Sequence, residues 1–97
     1  MTAKRYIVRG RVQGVGFRWF VEREANALAM RGWVRNNEDS SVELVALGDN
    51  DQHAALRTKL EQGPRGSRVD AVQEHPLEEA EVKPAEQLTR FEIQGAW

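Results

Sequence analysis

Cysteine is absent from the 97 residues. That excludes disulfides, thiolate metal centres and a cysteine nucleophile together, and with the last of these the thiol phosphatases. Histidine is scarce: only His53 and His75 occur, with no second histidine or carboxylate at metal-ligand spacing, which leaves no recognisable metal site. No apolar run approaches the ~20 residues that a bilayer span needs. Met1 to Arg11 carries charges where a secretory leader is apolar, so a cytoplasmic, free-standing protein without membrane association is the expectation. Repeats, low-complexity tracts and linkers are also lacking. The length suffices for one modest core and not for two, so residues 1–97 read as a single domain.

Hydrophobic residues make up 40% and charged residues 30% of the chain, the balance of an ordinary globular protein. The formal net charge of −1 hides an uneven distribution. Met1 to Asn37 carries eight Lys/Arg against two Glu, a balance of +6, and Glu38 to Trp97 carries six against thirteen acidic residues, a balance of −7. A basic first half points to an anionic ligand, a phosphate compound or nucleic acid; its competitor is a solvated surface whose halves interdigitate in the fold.

Alternation predicts a first strand over Arg5 to Val12, broken by Gly14 and Gly16. Phe17, Val21, Ala25 and Leu28 recur at helical spacing, predicting a helix from Phe17 to Arg31 with Gly32 as its stop signal. Trp33 to Asn36 and Ser41 to Leu47 form a hairpin about the turn residues Asn37 to Ser40. Gly48-Asp49-Asn50-Asp51 opens a second helix that runs to about Gln62 and closes at Gly63-Pro64. A strand at Arg68 to Glu74 follows, then an acidic solvated loop at Glu78 to Gln87 interrupted by Pro84, and a short strand at Phe91 to Ile93 that leaves Trp97 at the terminus. The order β-α-β-β-α-β plus one short strand is a split β-α-β arrangement. The fold class is therefore α+β, a ferredoxin-like sandwich: a mostly antiparallel sheet of four strands plus a short fifth, with two helices on one face. In that topology the strand at Trp33 lies two places from the first strand. Such folds host enzymes, metal carriers and RNA binders alike, so function rests on a site.

The stretch Gly10-Arg11-Val12-Gln13-Gly14-Val15-Gly16-Phe17-Arg18 puts a glycine-rich turn between a strand end and a helix start. Backbone N–H groups in such a turn converge on one concavity, and the helix start adds unpaired donors and the positive end of its dipole. Arg18, just inside the helix, can fork onto two oxygens of the same anion. A dinucleotide fingerprint beginning at Gly14 fails at Trp19, and a P-loop fails for want of Lys-Ser or Lys-Thr. On these residues alone a plain strand-to-helix turn with a solvated Arg18 competes evenly with an anion site.

Val12-Gln13-Gly14-Val15-Gly16-Phe17-Arg18 followed by Gly32-Trp33-Val34-Arg35-Asn36 resembles the paired signature of the acylphosphatases, and Gly48-Asp49 and Gly63-Pro64 match the same pattern. The resemblance implies a hydrolase that cleaves the carboxyl-phosphate bond of a small-molecule acyl phosphate and releases inorganic phosphate, without metal or cofactor. It implies that the backbone of Gly14, Val15, Gly16 and Phe17 cradles the phosphate, that Arg18 binds it, and that Asn36 positions the water. The chemistry suits these residue types, because the leaving carboxylate has a conjugate acid of pKa near ~4 and needs no enzyme acid. Asn36 is a neutral amide and can orient a water but not deprotonate it, so the water's proton is expected to pass to a phosphate oxygen. The chain departs from the family at its end, Phe91-Glu92-Ile93-Gln94-Gly95-Ala96-Trp97, where an aromatic-x-x-Arg-Tyr-like ending is common.

Other residues receive structural readings. His53 falls on the buried face of the second helix and reads as a packed histidine, His75 as a strand-end surface residue, and Phe17, Phe20 and Trp33 as core aromatics. Arg65 and Arg68 read as surface arginines. An RNA-binding module on the same fold would stack bases on aromatics of its central strands, where Ser41 to Leu47 offers none and the first strand only Tyr6. No nucleic-acid partner and a monomeric state are expected, and the remaining alternatives are a phosphate-binding relative without turnover and a carbamoyl-phosphate-handling module, which would normally belong to a larger enzyme.

Overall fold

In the computed structural model, which describes residues 1–95, the chain runs β1 (Thr2–Arg11), α1 (Phe17–Ala27), β2 (Arg31–Asn36), β3 (Val42–Gly48), α2 (Asn50–Gln62), β4 (Arg68–Pro76), α3 (Glu79–Glu86) and β5 (Phe91–Ile93). The end of the departing C-terminal segment, Ala96 and Trp97, lies outside the described residues.

The strands form one sheet in the order β4-β1-β3-β2-β5. β1 pairs antiparallel with both β3 and β4, and β2 pairs antiparallel with β3. The three-residue β5 runs parallel to β2. This is the ferredoxin-like α+β sandwich, and β2 stands two places from β1 with β3 between them.

Because side chains alternate across a strand, β1 turns Tyr6 and Val8 to one face, where both are fully buried. On that face α1 lays down Phe17, Val21 and Ala25 and α2 lays down His53, Leu56 and Leu60, closing a core with Val34, Leu44 and Ala46. Each such aliphatic or aromatic side chain contributes about 1.5–3 kcal/mol by leaving water. α2 starts on a capping box: the Asp49 carboxylate accepts from the Gln52 backbone N–H at 2.8 Å, and the Gln52 side chain accepts from the Asp49 N–H at 2.7 Å. Two of the donors that every helix start leaves open are satisfied in this way.

His53 is the packed histidine that its position predicts. A carbonyl only accepts, so Nε2–H donates to the Thr2 carbonyl at 2.8 Å and Nδ1 accepts from the Tyr6 hydroxyl at 2.7 Å. Burial pushes its pKa down and that of the Tyr6 phenol up, since each group is held in its neutral form away from water.

Three sequence expectations need correction. The acidic stretch after β4 is not a loop: Glu79–Glu86 is a helix, Pro84 included. It packs its buried Ala85 against Val45 and Leu47, with Trp33 and Leu77 alongside, on the sheet face opposite α1 and α2. The sandwich thus has a third helix on its other face, not two helices on one. The first helix is also shorter than its spacing suggested, ending at Ala27 rather than Arg31. Its closing turn carries the paired bonds of a Schellman motif, Met30 N–H to the Ala25 carbonyl and Ala29 N–H to the Asn26 carbonyl, both at 3.0 Å. The left-handed residue such a turn requires is Ala29, at φ 58°, although glycine is the usual occupant. Gly32, read as the stop signal, lies inside β2.

The second face also carries an ion-pair network. Glu43, nearly buried, receives Arg35 Nη2 at 2.9 Å and lies 3.0 Å from Arg5 Nε, and Arg5 also meets Glu81 of α3. The Arg35 guanidinium stacks 5.0 Å over the Trp33 ring. These contacts hold α3 and the β2–β3 hairpin to one another behind the face that bears the core.

Candidate active site

The loop between β1 and α1 contains two residues in the left-handed region, Gly14 at φ 74° and Gly16 at φ 76°. A Cβ at either position would meet no protein atom within 4 Å. Glycine is therefore required there by the backbone conformation, and the side on which a Cβ would stand is left open. Gly16 is the N-cap of α1 and brings no side chain to it, and the first turn contains no acidic residue. The first intrahelical bond is the Phe20 N–H to the Gly16 carbonyl at 3.1 Å. The donors ahead of it belong to a helix start with no side-chain cap, where partial positive charge accumulates.

This loop and the end of β2 enclose a cavity of about 220 Å³ lined by Val12, Gly14, Gly16, Phe17, Arg18, Trp19 and Asn36. Arg18 and Asn36, eighteen positions apart in the sequence, thus come to one concavity. They do so because β2 follows α1 back across the sheet and delivers Asn36, its last residue, beside the loop that starts α1. Arg18 is half-buried, and its Nη1 donates a long 3.4 Å bond to the Gln94 carbonyl. Asn36 is half-buried opposite Val42 in the hairpin register. Val15, the remaining cradle residue of the sequence reading, packs its side chain against the core, and so does the buried Phe17. Phe17 lines the cavity as well as joining the core, whereas Val15 is not among the lining residues.

Three ties that the sequence did not reveal fix this geometry. Gln13 reaches from the loop to the hairpin, where its Nε2 donates to the carbonyls of Asn37 at 2.8 Å and Ser41 at 2.9 Å. Gln94 links β2 to α1, because its N–H donates to the Val34 carbonyl at 2.8 Å while its own carbonyl faces Arg18. Asn26 of α1 clasps the Phe91 backbone of β5 from both sides, donating to its carbonyl at 3.2 Å and accepting from its N–H at 2.9 Å. Only the position of Gln13, a lone amide inside a turn of glycine and valine, hints at such a role in the sequence. Behind Asn36 the turn is stiffened by Asp39, which accepts from both the N–H and the hydroxyl of Ser41. Those bonds and Arg9 hold its carboxyl down to about 2.

Gln13 is the residue through which the cradle and the Asn36 hairpin keep their spacing. Replacing it with Leu removes both donors while leaving each carbonyl one backbone partner, so a stability loss of about 1–2 kcal/mol is expected. Loosened positioning is expected to lower kcat on the order of tenfold. Steady-state kinetics well below the unfolding transition check this; an unchanged kcat with reduced stability would reduce Gln13 to a structural role.

The site holds one fixed cation and a set of backbone donors at a helix start, which is the equipment for an anion of phosphate size. Among the described residues no group of three or more His, Asp or Glu side chains could hold a metal ion, and no helix is long and apolar enough to cross a membrane.

The chain is similar to acylphosphatases and also superposes on two HypF structures, spanning 12% of each, with a TM-score of 0.80 at 28% and 30% identity. A family model described as Acylphosphatase matches residues 4–93. An acylphosphatase of Koribacter versatilis is 48% identical over 94 residues, covering 97% of this chain and 81% of that protein. One of Pasteurella multocida is 43% identical over 93 residues, covering 96% and 98%. The crystal structure of acylphosphatase from Bacillus subtilis superposes with a TM-score of 0.81 at 36% identity, covering 98% of this chain and 100% of that one.

Proposed function

The chain belongs to the acylphosphatase family, and we propose that its Arg18, Asn36 and β1–α1 loop are the parts that carry out the hydrolysis. It is an acylphosphatase, an enzyme that cleaves small acyl phosphates to a carboxylate and inorganic phosphate. In the proposed mechanism the phosphoryl group sits in the 220 Å³ cavity against the backbone of Gly14, Val15, Gly16 and Phe17, with Arg18 forked onto its oxygens. Asn36 holds a water through its side-chain carbonyl and amide. The water oxygen bonds to phosphorus as the bond from phosphorus to the acyl oxygen breaks, and the electron pair of that bond leaves with the carboxylate. The water's proton goes to a phosphate oxygen, because none of the described residues that line the cavity carries a side-chain base. Such phosphoryl transfer calls for placement and charge compensation rather than covalent help from the protein.

The observation that carries this reading is the convergence of Arg18, Asn36 and the two left-handed glycines on one cavity. We propose further that the enzyme acts without metal, as a monomer and in the cytoplasm, and that residues 1–97 form a single acylphosphatase-like domain. Against the alternative of RNA binding, the sole aromatic of the two central strands, Tyr6, is wholly buried in the core and unavailable for stacking.

The test is hydrolysis of benzoyl phosphate in chelator-treated buffer. Turnover is expected to persist, to be inhibited by inorganic phosphate, and to fall on the order of 100-fold in Asn36→Ala through loss of an oriented water. Absence of turnover in folded wild type, or its abolition by chelator, would overturn the reading.

A further inference from the structure

The phosphate cavity shares two of its lining residues with a second cavity. A groove of about 550 Å³ is lined by Arg18 and Trp19, which also line the phosphate cavity, and further by Glu22, Arg90, Glu92, Ile93 and Gly95. Asn36 lines the smaller cavity alone. Trp19 stands between the two, with 70% of its surface exposed. A single exposed aromatic is ordinary on a protein surface; this one flanks the arginine that is offered to the phosphate.

We propose that this groove receives the acyl group of the substrate and that the Trp19 indole, by packing against it, makes the enzyme selective for aromatic acyl phosphates. The inference rests on the assignment of Asn36 to the attacking water and of Arg18 to the phosphate. In-line displacement places the leaving oxygen on the side of phosphorus away from the water. With the water at Asn36, the acyl group departs past Arg18 and Trp19 and into the groove. Arg90 lies 3.8 Å from Glu22 and Glu92 adds a further carboxylate to the lining, so beside its apolar wall at Trp19 and Ile93 the groove disfavours a substrate with a second carboxylate. An aromatic ring stacked on an indole gains beyond simple burial, whereas an acetyl group is too small to reach along it.

The experiment compares benzoyl and acetyl phosphate in wild type, Trp19→Ala and Trp19→Phe. The benzoyl-to-acetyl ratio of kcat/KM is expected to fall about five- to tenfold in Trp19→Ala and to recover in Trp19→Phe, the size expected for one aromatic contact. The same variants are assayed by calorimetry for binding of benzylphosphonate against methylphosphonate, where the preference for the benzyl compound is expected to fall in parallel. Ratios that stay within about twofold of wild type, the margin below which no contact is resolved, would overturn the proposal. Wild type that hydrolyses neither substrate would overturn the assignment of catalytic roles, and the phosphonate preference would then decide for or against the groove by itself.

Discussion

Replacing Arg18 with Ala is expected to lower kcat/KM for benzoyl phosphate by on the order of 1,000-fold while leaving the fold intact. Arg18 is the one cation in the cavity lining. On the proposed assignment, a fork of two charge-assisted hydrogen bonds to the phosphoryl oxygens contributes about 1.5–3 kcal/mol per bond, which converts to a factor between roughly 150 and 25,000. Among the described residues the side chain makes one hydrogen bond, at 3.4 Å to the Gln94 carbonyl, so its removal is expected to shift stability by no more than about 0.5 kcal/mol. Arg18→Lys keeps the charge and loses the planar fork, and is expected to recover a minor part of the activity. The loss should be shared by inhibition with inorganic phosphate, since the same fork holds substrate and product. Steady-state kinetics beside circular dichroism of the folded variants check this. An Arg18→Ala enzyme within about tenfold of wild type would show that the backbone cradle suffices and that the arginine is auxiliary.

Gly32→Ala is expected to cost more than about 3 kcal/mol, a large share of the total stability of a small domain. Gly32 sits in β2 at φ 147°, between Ala46 of β3 and Phe91 of β5. A Cβ there would lie 1.9 Å from the Val45 carbonyl oxygen and 2.9 Å from Cε2 of Phe91. The first of these atoms is backbone in the middle of the sheet and cannot turn aside, so a methyl group must separate β2 from β3 or force the strand out of register. The control is Gly66→Ala. Its φ of 90° is equally unfavourable for a side chain, but a Cβ there meets nothing within 4 Å, so only about 1–2 kcal/mol should be lost. Urea unfolding of both variants separates crowding from backbone conformation. Equal losses would mean that the strands accommodate the methyl group.

The same glycine shows where sequence reading stops. Gly32 follows a helical pattern, and glycine after a helix is ordinarily its stop. The left-handed turn is in fact made by Ala29, and the reason for Gly32 is a carbonyl thirteen residues later in the chain, which no local pattern reports. α3 was hidden for a related cause: it buries Ala85 alone, too little for a periodic signal, and Pro84 argues against a helix until Val45 and Leu47 supply a surface to pack on. The place of β2, two strands from β1, was legible because it follows from local features, the hairpin and the glycine turn, joined by a topology that permits few arrangements, whereas the share of Val12 and Trp19 in the cavity lining was not. The ties through Gln13, Asn26 and Gln94 were not, since each joins a side chain or backbone group to a distant carbonyl.

The position of β1 has a consequence for how the molecule is made. The first strand to be synthesised lies inside the sheet, and its two neighbours are β3 and β4, drawn from residues 42–48 and 68–76. Until those segments leave the ribosome, β1 has both backbone edges unpaired, and closing the loops to them is slow because so much chain must first be ordered. The loop that begins α1 emerges early but acquires its facing wall only when the hairpin folds back, and Arg18 gains its Gln94 neighbour near the end of the chain. The parts of the cavity therefore come together only once β2 and the segment after β5 have been made, and a nascent chain halted before β4 displays Tyr6 and Val8 on an open strand edge that is prone to pair with other chains.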